Sequence, residues 1–241
     1  MLFDGAAAAV VEPRVVEAVE RPAPAAPESH GAFIAGVSVE PGSGLSQPRQ
    51  LLVIDCSVAD WQTFAGTVTP GTDVLLLDGT ADGLVQIARA VSAQERYDAI
   101  HIVSHGSGGA LRLGTRTVDS AAITRYSAEL SAIGAALADD GDLLLYGCDI
   151  GAGQQGADFL SDLARATRAD VAASTDRTGT SHLGGDWSLE AVTGPVEASM
   201  PVSAAALSGW DHLLVQPALT LFKGAVRDDV SGASTFTPRF L

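Results

Sequence analysis

Five short apolar runs, each followed by small and polar residues, alternate along the chain with longer stretches of mixed polarity. The runs occupy residues 51–54, 74–77, 99–103, 143–146 and 171–173. Continuous apolar runs of this length are typical of parallel strands that are buried on both faces. The segment GGDWSLEAV, which follows the fifth run, predicts one more strand at an edge of the sheet.

Three of the intervening stretches carry apolar residues at helical spacing. The first consists of Leu84, Ile87, Ala88 and Val91, with Asp82 placed to cap its first turn. The second consists of Ile123, Leu130, Ile133 and Leu137, and the third of Phe159, Leu160 and Leu163. Strands that alternate with helices predict a doubly wound α/β domain with a mostly parallel sheet, helices on both faces, strand order 2-1-3-4-5 and an added edge strand.

The regular pattern divides the chain into three parts. Residues 1–48 are rich in Ala, Pro, Val and Glu without a sustained period, which predicts a disordered or partly helical lead-in, with His30 solvated. Residues 49–211 form the predicted α/β domain. Residues 212–241 contain the apolar segment LLVQPALTLF, which predicts an extra strand, followed by a stretch with Ser, Thr and Pro, which predicts a tail.

Charge and composition narrow the function classes. A net charge of −15, from 14 basic and 29 acidic residues, argues against nucleic acid and anionic membranes as partners, although acidity also serves solubility. No stretch reaches the ~18 apolar residues of a membrane span, so we expect no membrane insertion. No basic n-region precedes an apolar h-region, so a Sec-type signal peptide is not expected.

His105 and Cys148 carry the candidate chemistry. Each follows a buried strand, and the predicted order makes those strands neighbours, with Cys56 after the strand beyond. The alternative for His105 is an ordinary turn histidine, and for Cys148 a small buried apolar residue. Glycines beside His105 leave the backbone open to a substrate carbonyl, and the helix after Cys148 is placed to stabilise a thiolate. Together the two residues predict acyl transfer, with the backbone N–H groups of Gly106 and Cys148 as the oxyanion site.

Other histidines, and other kinds of catalytic or metal site, fit the sequence less well than the His105–Cys148 pair. His101 lies inside a strand and is interpreted as a structural histidine with its hydrogen bonds satisfied. An α/β-hydrolase would require a glycine-framed nucleophile followed by its histidine, and His182, the only histidine shortly after Cys148, lies in a loop. The two cysteines show no metal-binding spacing and no disulfide framework, so neither a metal nor a cofactor is expected.

A histidine followed by a cysteine, each after a buried strand and separated by about 50 residues or fewer, is the arrangement of caspases. The chain thus resembles the caspase–hemoglobinase fold, which includes gingipains, separases and legumains. A closer resemblance, to an uncharacterised bacterial domain near the N-terminus of very large cadherin-repeat or RTX-type surface proteins, is carried by VIDCSVADWQ, LLLDGTADGLVQIA, IHIVSHGSGGALRLG, LLLYGCDIGAG and AASTDRTG with GGDWSLE. The resemblance implies a cysteine peptidase that acts on polypeptide, either its own chain or a partner surface protein. Together with the missing Sec-type signal, it also implies a secreted or cell-surface protein exported by a non-Sec route, with a cytoplasmic location as the alternative.

Two questions stay open at this level. Asp55, Asp149 and Asp176 are candidates for an acidic pocket that would select Arg or Lys, although capping of a turn or a helix start is the favoured interpretation of each taken singly. A non-catalytic module that assists the secretion or assembly of a surface adhesin is the alternative function. A small-molecule binding domain is a weaker alternative, because the chain has neither a GxGxxG motif nor a P-loop.

Overall fold

The computed structural model describes residues 48–91 and 96–215, together with the backbone of residues 32–34. The strands are β1 (Ala32–Ile34), β2 (Gln50–Asp55), β3 (Thr72–Leu77), β4 (Tyr97–Val103), β5 (Gly106–Ser107), β6 (Ala110–Leu113), β7 (Arg116–Asp119), β8 (Leu137–Tyr146), β9 (Asp170–Ala173) and β10 (Ala191–Val192). The helices are α1 (Gln62–Ala65), α2 (Gly83–Val91), α3 (Ser120–Arg125), α4 (Ser127–Ala135), α5 (Gly153–Thr167) and α6 (Ala204–Gly209).

Within these residues, seven strands form one sheet in the order β1-β3-β2-β4-β8-β9-β10. The five central strands are parallel, and they correspond to the five apolar runs in the predicted order 2-1-3-4-5. The two outer strands, β1 and β10, are antiparallel to their neighbours. A separate small sheet, β5-β6-β7, follows directly after β4.

Alternation along each central strand explains why both faces are covered. In β2, Leu51 and Val53 enter the core beneath α2, α3, α4 and α5, whereas Leu52 and Ile54 enter a second core with α1 and α6. All four side chains are fully buried. A strand with both faces buried requires apolar residues at consecutive positions, which is the pattern that the sequence carries.

Several boundaries differ from the prediction. Leu137 starts β8 and pairs with Tyr97, and the single helix expected before it is two, α3 and α4, which meet at Tyr126. The expected final strand is reduced to β10. The strand β1 lies in the predicted lead-in, whose remaining residues up to 47 lie outside the described part of the chain.

Candidate active site

The carboxyl ends of β2, β4 and β8 lie side by side at one edge of the sheet. Val103 and Tyr146 are paired at the ends of β4 and β8, and His105 and Cys148 each follow two positions later. The Cys148 side chain is 1% exposed and that of His105 is 8% exposed, whereas Cys56 is exposed. The sheet therefore brings the segments of the two predicted catalytic residues together and buries both side chains.

Two glycines let these segments approach to backbone contact. A Cβ atom on Gly106 would lie 2.7 Å from the carbonyl oxygen of Cys148 and 2.9 Å from the carbonyl carbon of Gly147. A Cβ atom on Gly147 would lie 2.8 Å from the carbonyl oxygen of Ser104. Real Cβ atoms are not found at such distances from backbone, so close packing of the two segments depends on glycine at both positions.

The N–H groups predicted as the oxyanion site converge on one atom. Gly106 N lies 3.1 Å from the carbonyl oxygen of Leu214, and Cys148 N lies 3.4 Å from the same oxygen. Both groups donate hydrogen bonds to it. In acyl transfer, the oxyanion is stabilised by an arrangement of this kind, in which two backbone N–H groups donate to one carbonyl oxygen beside a cysteine.

The imidazole of His105 has one engaged and one free nitrogen. Nε2 lies 3.1 Å from the carbonyl oxygen of Ser57, whereas the buried Nδ1 has no hydrogen-bond partner among the described residues. Because a carbonyl oxygen can only accept, this contact assigns the proton of the neutral ring to Nε2. Nδ1 then presents a lone pair, as a general base requires. The His105 backbone is held by Arg112, whose N–H donates to the His105 carbonyl over 2.9 Å.

Asp55 supports the loop that contacts His105. Its Oδ1 accepts from the Ser57 N–H at 2.9 Å and the Ser57 hydroxyl at 2.6 Å, and its Oδ2 accepts from the Gly114 N–H at 2.6 Å. The side chain is buried. Both carboxylate oxygens are thus engaged within the fold, and Asp55 connects the Ser57 loop to the end of β6.

Replacing Asp55 with Asn is expected to lower the free energy of unfolding by about 2–3 kcal/mol, because an amide cannot accept at both positions and leaves a buried N–H unpaired. The matched control is Asp78→Asn, since the Oδ1 of Asp78 accepts from the N–H and hydroxyl of Thr80 in the same type of turn, and its surroundings are open. Urea unfolding of both variants checks this expectation. Equal losses would mean that the burial of Asp55 contributes nothing beyond the turn.

The thiol of Cys148 contacts the backbone of Thr178. The Thr178 N–H donates to Sγ at 3.3 Å, and Sγ lies 3.6 Å from the Thr178 carbonyl oxygen. Burial raises the pKa of the thiol and the charge of Asp149 adds to this, while the Thr178 N–H opposes it. The helix expected to stabilise a thiolate begins only at Gly153. In this state of the site the neutral thiol is therefore favoured.

The remaining candidates lie around this centre. Asp149 has a left-handed backbone, φ 61°, and its N–H donates to the carbonyl of Asp176 over 2.6 Å. The Asp176 side chain is exposed, and its carboxylate lies within 4.8 Å of those of Asp186 and Glu190. His182 is exposed on a short 3-10 turn. Asp149, which directly follows Cys148, is thus in backbone contact with Asp176, whereas Asp55 is buried and holds the Ser57 loop that contacts His105.

His101 lies in β4 as predicted, but its ring nitrogens are not satisfied. The side chain is fully buried, and neither Nδ1 nor Nε2 has a partner in the described part of the chain. Its ring stacks on Tyr146 with centroids 6.1 Å apart. Burial lowers the pKa of His101 to about 3, so the ring is neutral at physiological pH.

Three residues at the site escaped the sequence analysis, namely Ser57, Thr178 and Leu214. Ser57 and Thr178 contact the dyad through backbone atoms, so side-chain chemistry gives no signal for them. Leu214 falls in the segment predicted as an extra strand, and its backbone does pair with the domain through neighbouring residues Leu213 and Val215. Residues after 215 in that prediction lie outside the described part of the chain.

Comparison with known proteins adds one finding. Residues 51–214 match a family described as domain of unknown function DUF4347. The chain belongs to the DUF4347 family. No curated protein and no solved structure matches the chain. The DUF4347 match includes the central sheet, His105, Cys148 and Leu214, so the whole candidate site lies within the family domain. None of the helices in the described ranges is long and apolar enough to cross a membrane.

Proposed function

We propose that this DUF4347 domain is a cysteine endopeptidase with a His105–Cys148 dyad. The observation that carries the proposal is the convergence of the Gly106 and Cys148 N–H groups on one carbonyl oxygen, that of Leu214. A peptide carbonyl is thus held beside a buried thiol by the kind of donors that acyl transfer requires. The free Nδ1 of His105, on the neighbouring strand end, supplies a base.

The residues then have distinct roles. Cys148 Sγ attacks the carbonyl carbon after its proton passes to His105, and the Gly106 and Cys148 N–H groups stabilise the charge that develops on the oxygen. His105 delivers the proton to the leaving amine, and water hydrolyses the thioester. Ser57 orients the imidazole through its carbonyl group, and Asp55 positions Ser57.

We assign the enzyme to the caspase–gingipain type. In support, the histidine follows the third parallel strand and the cysteine follows the fourth, which lies beside it. The resemblance to domains of large cadherin-repeat and RTX-type proteins supports a substrate among surface proteins, including the chain itself. It also supports a location at the cell surface or outside the cell, reached by a non-Sec route.

A non-catalytic module for adhesin secretion or assembly is the second candidate. The observation that favours it is the closed state of the site, because Cys148 is almost fully buried and burial raises the pKa of its thiol. An inert structural cysteine has both properties. The two candidates differ in whether Cys148 reacts faster than an ordinary thiol.

Incubation with an irreversible peptidyl thiol probe, followed by intact mass measurement, separates the two candidates. Two probes are compared, one carrying Leu and one carrying Arg at the recognition position. We expect one label per chain in the wild-type protein and in Cys56→Ala, and none in Cys148→Ala. Cys56 is the matched control because it is exposed and also follows a strand of the same sheet. Slow labelling of the exposed Cys56, with Cys148 labelled no faster than Cys56 or not at all, would support the non-catalytic module.

A further inference from the structure

Residues 212–215, here called the strap, pair through their backbone with residues 178–180 and with Gly106 at the candidate site. The Thr180 N–H donates to the His212 carbonyl over 2.9 Å, and the Leu214 N–H donates to the Thr178 carbonyl over 2.9 Å. Gly179 and Leu213 are paired between these two contacts in antiparallel orientation. Extended peptides bind to proteins in this manner, through main-chain hydrogen bonds to an exposed strand.

Leu214 has the position of the residue that precedes a scissile bond. Its carbonyl oxygen accepts from both N–H groups of the proposed oxyanion site. Its side chain is fully buried and joins the apolar core that includes Ile54, Val58 and Tyr146. Val215, the next residue, is 43% exposed. The bond presented to Cys148 is therefore Leu214–Val215.

The side-chain anchors of this segment lie before that bond. The indole N–H of the buried Trp210 donates to the Ala59 carbonyl over 2.8 Å, and His212 Nε2 lies 2.9 Å from a carboxylate oxygen of Asp60. Val215 pairs with Gly106 through a backbone bridge. A cut after Leu214 would therefore leave the Trp210 and His212 anchors on the N-terminal fragment.

We infer that the site cleaves its own chain between Leu214 and Val215, and that it selects a leucine-sized apolar residue before the scissile bond. The inference rests on the proposed function and names its substrate. Cys148 Sγ forms a bond to the Leu214 carbonyl carbon, and the C–N bond to Val215 breaks. The thiol proton moves through His105 to the Val215 nitrogen, which leaves as a free amine. Water then hydrolyses the thioester, which gives a Leu214 carboxylate and regenerates the thiol.

A preference for an apolar residue before the scissile bond differs from the preference for Arg or Lys that an acidic pocket would give. Asp55 is buried with both carboxylate oxygens already accepting hydrogen bonds from Ser57 and Gly114. The Leu214 side chain, by contrast, is fully buried and belongs to the second apolar core. Burial in an apolar site of this kind favours leucine and strongly penalises a charged side chain.

The purified full chain tests the inference by intact mass under denaturing conditions and by N-terminal sequencing. We expect two fragments, residues 1–214 and 215–241, whose masses sum to the chain plus one water, with a new N-terminus reading VQPAL. Cys56→Ala and Leu214→Met are expected to be cut, and Cys148→Ala and Leu214→Asp to stay intact. Circular dichroism of the uncut variants establishes that they are folded.

Cleavage of a chain by its own active site, that is, in cis, has two further signatures. Its rate is expected to be first order and independent of protein concentration, and wild-type chain is expected to leave added Cys148→Ala chain uncut. Cutting of the added chain would overturn the assignment in cis. A wild-type chain that stays intact while the leucine probe labels Cys148 alone would overturn the inference and leave the proposed function standing. An intact chain with unreactive Cys148 would overturn both.

Discussion

Gly106→Ala is expected to slow cleavage of the Leu214–Val215 bond by roughly 10²-fold or more, whereas Gly108→Ala is expected to cleave at the wild-type rate. A Cβ atom on Gly106 would meet the backbone of Gly147 and Cys148 at less than 3 Å, so the two segments must separate. Separation moves the Gly106 N–H away from the oxygen that it shares with Cys148. A Cβ atom on Gly108 has no neighbour within 4 Å, which makes this variant the matched control.

The Gly106 variant needs two measurements, because crowding of this kind also costs about 1–3 kcal/mol of stability. The cleavage rate is measured by intact mass at a temperature where circular dichroism finds the variant folded, and stability is measured by urea unfolding. A folded Gly106→Ala protein that cleaves at the wild-type rate would mean that the paired N–H groups do not stabilise the transition state. Loss of rate in Gly108→Ala as well would assign the effect to the flexibility of the loop.

The central sheet was predictable because burial on both faces forces a readable pattern. Each central strand needs consecutive apolar residues, as Leu51 to Ile54 illustrate, and turns and helices must separate them. The two-helix region before β8 was not predictable in the same way. Ile123 and Leu130 are spaced as they would be in one helix, but the helix is interrupted at Tyr126, where α3 ends and α4 begins. The start of β8 is set by the pairing of Leu137 with Tyr97 on the neighbouring strand. Such pairing is a tertiary contact that local spacing does not encode.

In the candidate site, too, some features could be predicted from local sequence and others depend on tertiary contacts. His105 and Cys148 can be proposed as a pair from the sequence because their side chains have distinctive chemistry and follow strands that the topology makes neighbours. The contacts that orient them are made by backbone atoms of Ser57, Thr178 and Leu214, and any residue type supplies a carbonyl or an N–H. The contacts of the strap could not be predicted from the sequence for that reason. Its apolar residues predicted a strand, but only the structure shows that its backbone pairs with Gly179 and Gly106.

His101→Leu is expected to reduce the acid sensitivity of the fold. Burial lowers the pKa of His101 to about 3 in the folded protein, against about 6.5 for an unperturbed histidine. Between these values the unfolded chain binds a proton that the folded chain does not. The free energy of unfolding is therefore not reduced by His101 above pH 6.5. As the pH falls from 6.5 towards 3, protonation of His101 in the unfolded chain lowers the free energy of unfolding by up to about 1.4 kcal/mol per pH unit.

Urea unfolding of wild type and variant at pH 7, 6, 5 and 4 isolates this contribution, because titrating carboxylates are common to both proteins. We expect the two stabilities to be similar at pH 7, where leucine fills the space of an imidazole whose nitrogens have no partner among the described residues. Below pH 6.5 the wild type is expected to lose stability faster. His182→Leu, at an exposed position, controls for the loss of an imidazole. Parallel curves for His101→Leu and wild type would mean that the His101 ring gains a proton in the folded state as readily as in the unfolded one, through opening of β4 against Tyr146.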